Sequence, residues 1–144
     1  MNKVRQILTA KGHQVWRVPK DATVLDALKI MAEKRISSVM VVNGDKIVGI
    51  FTERDYAQKI GLRDALPSSI KVGEVMSSEL ITVEPDTSVN QCMAIMTNSR
   101  IRHLPVMENG NLIGIISIGD IVKDVIEELQ FMVTQLENYV INFR

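Results

Sequence analysis

Two seven-residue stretches, GIFTERD from Gly49 to Asp55 and GIISIGD from Gly114 to Asp120, hold the side chains best suited to chemistry. In each, a hydroxyl residue (Thr52 or Ser117) stands three positions before an aspartate (Asp55 or Asp120). That spacing is a capping box: the hydroxyl accepts from N–H groups of a first helical turn, and the carboxylate favours the positive end of the helix dipole. A helix start at the end of a strand is also a natural place to hold a phosphate. A carboxylate beside it suits a pair of ribose hydroxyls, because it accepts two hydrogen bonds at once. The two readings are compatible.

The elements that must position these residues are themselves repeated. At an offset of 65, Val18, Asp21 and Val24 align with Val83, Asp86 and Val89; Arg35 and Ile36 align with Arg100 and Ile101; Gly49, Ile50 and Asp55 align with Gly114, Ile115 and Asp120. Upstream, VRQIL (Val4 to Leu8) is similar to VGEVM (Val72 to Met76) after a three-residue deletion. The chain is a duplicated unit.

Each copy reads as β-α-β-β-α. VWRV (Val15 to Val18) and LITV (Leu80 to Val83) are short β-prone runs, followed by residues that can cap a helix. Val24, Ala27, Leu28 and Met31 then share one helical face, as do Val89, Cys92, Met93 and Met96. SSVMVV with KIVGIF, and HLPVM with LIGIIS, predict hairpins closed at NGD (Asn43 to Asp45) and ENGN (Glu108 to Asn111). A final helix begins at each opening motif. The predicted limits are 1–66 for the first repeat, 67–127 for the second and 128–144 for a helical extension.

Composition narrows the function. The 144 residues are 46% hydrophobic and 24% charged, a globular balance long enough for one shared core. Lys plus Arg and Asp plus Glu both number 17, so nucleic-acid wrapping and membrane coating have no bulk charge behind them. The opening MNKVRQILTAKGHQ lacks a signal-peptide core and no long apolar span follows, which predicts a cytoplasmic protein. The single cysteine, Cys92, excludes an intramolecular disulfide and reads as a helix interior rather than a reactive thiol. There is no nucleophile elbow, Walker-type loop, dinucleotide GxGxxG or metal-ligand cluster, so neither catalysis nor a bound metal is expected.

The motifs VPKDATVLDALKIMAEKRISSVMVV with GIFTERD, and TVEPDTSVNQCMAIMTNSRIRHLPVM with GIISIGD, closely resemble a tandem CBS domain pair, or Bateman module, over roughly Val4 to Glu127. The resemblance implies an α/β (α+β) fold of two repeats packed about a pseudo-two-fold axis, with two clefts that bind adenosine-containing ligands such as AMP, ADP, ATP, NAD species or S-adenosylmethionine. Carried over, one cleft places Trp16, Ile36, Ser37 and Ser38 near the base, with Ser117 and Asp120 toward phosphate and ribose and Arg102 reaching the phosphate. The other places Ile81, Ile101, Arg102 and His103 on the base-side strand, completed by Thr52, Arg54 and Asp55. Because Arg54 precedes one aspartate and Gly119 the other, and Arg102 and His103 replace Ser37 and Ser38, the clefts are expected to bind unequally. At least one is expected to prefer a phosphorylated ligand, since Arg binds phosphate bidentately.

Plainer roles stand beside these. Trp16 also fits a core position. His103 also fits a structural role, and His13 is too remote to join it in a metal site. Arg35 and Arg100 fall at helix ends, where they offset the dipole. From Asp120 to Arg144, apolar residues recur every three or four positions and predict one long amphipathic helix, packed on a second subunit or on Val4 to Leu8. Asp124, Glu127, Glu128 and Glu137 weigh against an interfacial membrane helix. The sequence therefore predicts a non-enzymatic, homodimeric adenine-nucleotide sensor acting on a regulated protein it does not name. The competing expectation is a structural or assembly module with vestigial clefts.

Overall fold

The computed structural model describes residues 2–143. In chain order the elements are α1 (Val4–Lys11), β1 (Arg17–Pro19), α2 (Val24–Lys34), β2 (Ser38–Asn43), β3 (Lys46–Thr52), α3 (Glu53–Lys59), a 3-10 turn (Pro67–Ser69), α4 (Val72–Val75), α5 (Val89–Ser99), β4 (His103–Glu108), β5 (Asn111–Ser117) and α6 (Ile118–Asn142). They form two compact units: one from Gln14 to Ile81, the other joining the residues up to His13 to those from Thr82 onward.

In the unit from Gln14 to Ile81, α2 begins as the sequence predicts. Thr23 Oγ1 accepts from the Asp26 N–H and Asp26 Oδ2 accepts from the Thr23 N–H, both at 3.1 Å. Its apolar face, Val24, Ala27 and Met31, is buried with Val18, Val39, Val41, Phe51, Val72 and Val75. β1 pairs parallel with β2, and β2 antiparallel with β3.

The other unit repeats the plan. Ser88 and Gln91 form the capping box of α5, and Val89, Cys92 and Met96 enter a core with Val4, Leu8, Leu104, Val106, Ile116 and Ile121. β4 and β5 pair antiparallel, and the register shift between Val106 and Met107 matches the one between Val41 and Val42.

The units differ where the sequence predicts a first strand. LITV forms no strand; Val83 alone bridges Val106. The causes are Pro105 and Pro85. Their counterparts Met40 and Lys20 donate N–H groups to the Trp16 carbonyl at 2.9 Å and the Val42 carbonyl at 2.8 Å, whereas proline has no N–H to give to Ile81 or Met107. Arg35 and Arg100 also do more than offset a dipole. Both are left-handed C-caps, at φ 55° and 54°, and the turn they make returns the next N–H to Met31 and Met96 respectively.

The compact units cut across the sequence limits 1–66 and 67–127. α4 and Ser77 belong with the Gln14 unit, where Ser77 and Ile50 exchange backbone hydrogen bonds at 2.8 and 2.9 Å. α1 belongs with the other unit, where Leu8 lies on β5. The glycines of the two motifs permit these contacts. A Cβ on Gly49 would stand 2.5 Å from Met76 Sδ and 2.8 Å from the Ser77 carbonyl, and one on Gly114 would stand 2.6 Å from Leu8 Cδ2.

Residues 128–142 continue α6 without a break. Ile121 is buried, Val125 packs on the core that holds Val4, Ile7 and Leu8, and Asn2 Nδ2 donates to Asp124 Oδ1 at 2.9 Å. The start of α6 thus meets the N-terminal segment, while its apolar residues from Ile126 onward are exposed.

Candidate functional site

Both motifs form capping boxes at helix starts. Thr52 Oγ1 accepts from the Asp55 N–H at 3.2 Å and Ser117 Oγ from the Asp120 N–H at 3.2 Å. In return Asp55 Oδ2 accepts from the Thr52 N–H at 3.0 Å, and Asp120 Oδ2 from the Ser117 N–H at 2.8 Å.

Beyond the cap the two carboxylates part ways. Asp55 also accepts from Thr52 Oγ1 at 3.2 Å, Ser77 Oγ at 2.9 Å and Lys59 Nζ at 3.1 Å. Those four donors fill the lone-pair sites of an ionised carboxylate, and the side chain keeps only 8% of its exposure. Lys59 is fixed in turn by the Val75 carbonyl at 2.8 Å. Asp55 therefore anchors the segment after α4. Asp120 takes its remaining bond from Lys11 Nζ at 2.7 Å, also on Oδ2, and keeps 22% of its exposure. Lys11 donates as well to the Ile115 carbonyl at 2.9 Å. The second helix start thus gathers a hydroxyl, a more accessible carboxylate and a cation.

The base-side residues lie beside these starts within each unit. In the Gln14 unit the Ser37 carbonyl accepts from the Glu53 N–H at 3.1 Å, and Ser38, buried, pairs with Thr52. In the other unit the Arg102 carbonyl accepts from the Ile118 N–H at 2.9 Å, and His103 pairs with Ser117. The first group thus brings Ser37 and Ser38 to Thr52 and Asp55, and the second brings Arg102 and His103 to Ser117 and Asp120. Arg54 is exposed on α3.

Trp16 precedes β1, is half-buried against the core, and carries Lys34 Nζ 4.4 Å over its ring, a cation–π contact. Ile36 and Ile101 are partly buried against their own cores. Of the residues expected on the second base-side strand, His103 alone lies in β4; Ile101 and Arg102 precede it, and Ile81 is exposed outside any strand. Burial pushes the Cys92 thiol up to about 11, as befits a core residue.

Sequence reasoning missed three contributors: Lys59, Ser77 and Lys11. Lys59 is one turn after Asp55 and legible as an i,i+4 pair. Ser77 and Lys11 arrive from segments 22 and 109 positions away, for which local spacing gives no signal. Among the described residues no group of three or more His, Cys, Asp or Glu is placed to hold a metal ion, and no helix is long and apolar enough to cross a membrane.

The duplicated plan, with a capped hydroxyl–aspartate pair opening the last helix of each copy, defines a CBS pair. The CBS domain family model matches residues 4–61 and 72–127, and the chain belongs to that family as a tandem pair. It is similar to the solved structure of a CBS-domain protein from Burkholderia ambifaria MC40-6, with 50% identity, a TM-score of 0.86, and coverage of 88% of this chain and 95% of that one. The mitochondrial CBS domain-containing protein CBSX3 of Arabidopsis thaliana is 40% identical over 137 residues, which span 92% of this chain and 66% of that relative's length. The fold also recurs, at 22% identity and a TM-score of 0.76, in the CBS domain pair of protein MJ0100, solved with 5-methylthioadenosine and S-adenosyl-L-methionine; the match covers 89% of this chain and 98% of that one.

Proposed function

We propose that this chain is a non-enzymatic sensor that binds an adenosine-containing ligand (AMP, ATP or an NAD species) and signals its occupancy, as a cytoplasmic homodimer, to a partner protein. The observation that carries the reading is the start of α6, where the Ser117 hydroxyl, the Asp120 carboxylate and Lys11 Nζ converge at a helix N-terminus. These groups suit a ribose phosphate: the carboxylate faces hydroxyls, while the cation and the N-terminal dipole face the anion. Arg102 and His103 open the adjoining strand edge and extend the same site. The adenosine compounds bound by the MJ0100 pair support the ligand class. Trp16, Ile36, Ser37, Ser38, Ile81 and Ile101 supply the base-side contacts in this reading, and Thr52 and Arg54 the polar contacts of the second site, where Asp55 holds the helix start in place.

Ligand state is passed on because a ligand that binds one arrangement better shifts the population toward it. The saturation of Asp55 by protein donors favours a second, structural role for the first motif, so the Ser117–Asp120 site is the stronger of the two. Isothermal titration with AMP, ATP and NADH tests the reading, with mass spectrometry of copurifying small molecules beside it. Binding of one of them, weakened by Asp120→Asn, is the expected result. Absence of heat and of thermal stabilisation with every adenosine compound overturns it in favour of an assembly module.

A further inference from the structure

Beyond its buried start, α6 exposes Ile126, Leu129, Val133 and Leu136 at 48%, 54%, 53% and 64%. The pattern behind that exposure is a heptad repeat. Ile126, Val133 and Val140 recur every seven residues, and Val122, Leu129, Leu136 and Phe143 recur every seven residues in the alternate seam position. These are the a and d positions of three consecutive heptads, with β-branched residues at a, a choice that in the parallel case limits the assembly to two strands.

We propose that α6 pairs with α6 of a second copy as an antiparallel two-stranded coiled coil. The inference rests on the homodimer reading above and assigns the surface that makes the dimer. Area supports it. A standard interface removes about 800 Å² from each partner, and nine apolar side chains on the a, d and g positions from Val122 to Phe143, each about half exposed or more, supply surface of that order. The stripe is about 32 Å long at 1.5 Å per residue.

Charge on the flanks sets the direction. In the antiparallel register Ile126 meets Leu136 of the second copy and Leu129 meets Val133, so each a residue faces a d residue. The e flank then sets Lys123 beside Glu137 and Gln130 beside its own copy, while the g flank sets Met132 against Met132. A parallel pair instead leaves Glu137 against Met132 and Lys123 without an acid. The present Lys123–Glu127 contact, 4.0 Å between exposed side chains, is too weak to hold Lys123 from that partner.

Sedimentation of the full chain, together with cysteine cross-linking, tests the pairing. The expected result is a dimer that Leu129→Glu weakens at least roughly 30-fold, the scale of a hot-spot loss, with the circular dichroism melt of the compact units retained because the site is solvent-facing. Ile126→Cys combined with Leu136→Cys in one chain forms intermolecular disulfides under oxidation, while Ile126→Cys alone does not; native Cys92 is buried and stays out of the reaction. A dimer indifferent to Leu129→Glu overturns the helix pairing but leaves the homodimer reading standing. A monomer at all concentrations overturns both. Cross-linking by Ile126→Cys alone overturns the antiparallel order, and a monomer whose α6 binds phosphatidylcholine–phosphatidylglycerol vesicles overturns the choice of partner.

Discussion

Lys11 Nζ lies 2.7 Å from Asp120 Oδ2 across 109 positions of sequence, at the point where α6 begins. The contact makes the end of α1 part of the second motif's site. Both side chains remain partly exposed, at 33% and 22%, so the ion pair itself contributes about 1 kcal/mol or less to folding. Its larger effect is on what the site attracts. Lys11→Met is expected to leave the melting temperature nearly unchanged and to raise the Kd for a phosphorylated ligand such as AMP about tenfold, or about 1.4 kcal/mol. Affinity for unphosphorylated adenosine is expected to change far less. Equal loss for both ligands assigns Lys11 a structural role only.

The two aspartates are expected to exchange rank between stability and binding. Asp55 receives four protein donors in a buried setting, and replacing one oxygen by an amide group sets N–H against donors that need an acceptor. Asp55→Asn is therefore expected to cost about 2–4 kcal/mol in urea unfolding. Asp120→Asn is expected to cost about 1 kcal/mol or less, yet to impair ligand binding more than any residual effect of Asp55→Asn at matched folded fraction. Equal destabilisation by the two variants contradicts the asymmetry.

The paired glycines offer a second comparison between copies. An added Cβ at Gly49 meets the Ser77 backbone carbonyl, which is held in a two-bond bridge with Ile50, whereas at Gly114 it meets the end of the flexible Leu8 side chain. A side chain can rotate and a bridged carbonyl cannot. Gly49→Ala is expected to cost about 1–3 kcal/mol by overpacking, and Gly114→Ala less, both read by denaturant midpoints. The reverse order shows that Leu8 has no room to move.

How much of this was legible follows from which interactions are local. The capping boxes at Thr23, Thr52, Ser88 and Ser117 were readable because hydroxyl and acceptor lie three residues apart, and the hairpins because apolar runs bracket turn residues. The missing strand at LITV is only half legible: Pro85 stands two residues after it, but Pro105 lies in a different element 24 positions beyond Ile81, and each acts through an absent N–H. The exchange of α1 and α4 between the repeats and the compact units was also hidden. VRQIL and VGEVM are alike, and sequence likeness does not state which sheet each covers. Lys11 carries no local signal, because the partner that distinguishes it is 109 positions away.

Cys92 carries the pH prediction. It is fully buried in the core of α5, and desolvation of the thiolate raises its pKa from about 9 to about 11. The folded state therefore holds its proton more tightly than the unfolded chain, so the stability it contributes is fully present below pH 9 and is lost as pH rises through 11. Two pKa units correspond to about 2–3 kcal/mol. Other groups titrate in the same range, but they do so alike in Cys92→Ala, so the difference in unfolding free energy between the two proteins isolates the thiol. That difference is expected to be constant up to pH 9 and then to shrink by this amount toward pH 11, since the wild type alone loses the term. A pH-independent difference, or rapid reaction of the native thiol with a disulfide reagent at pH 8, contradicts its burial as an uncharged core side chain.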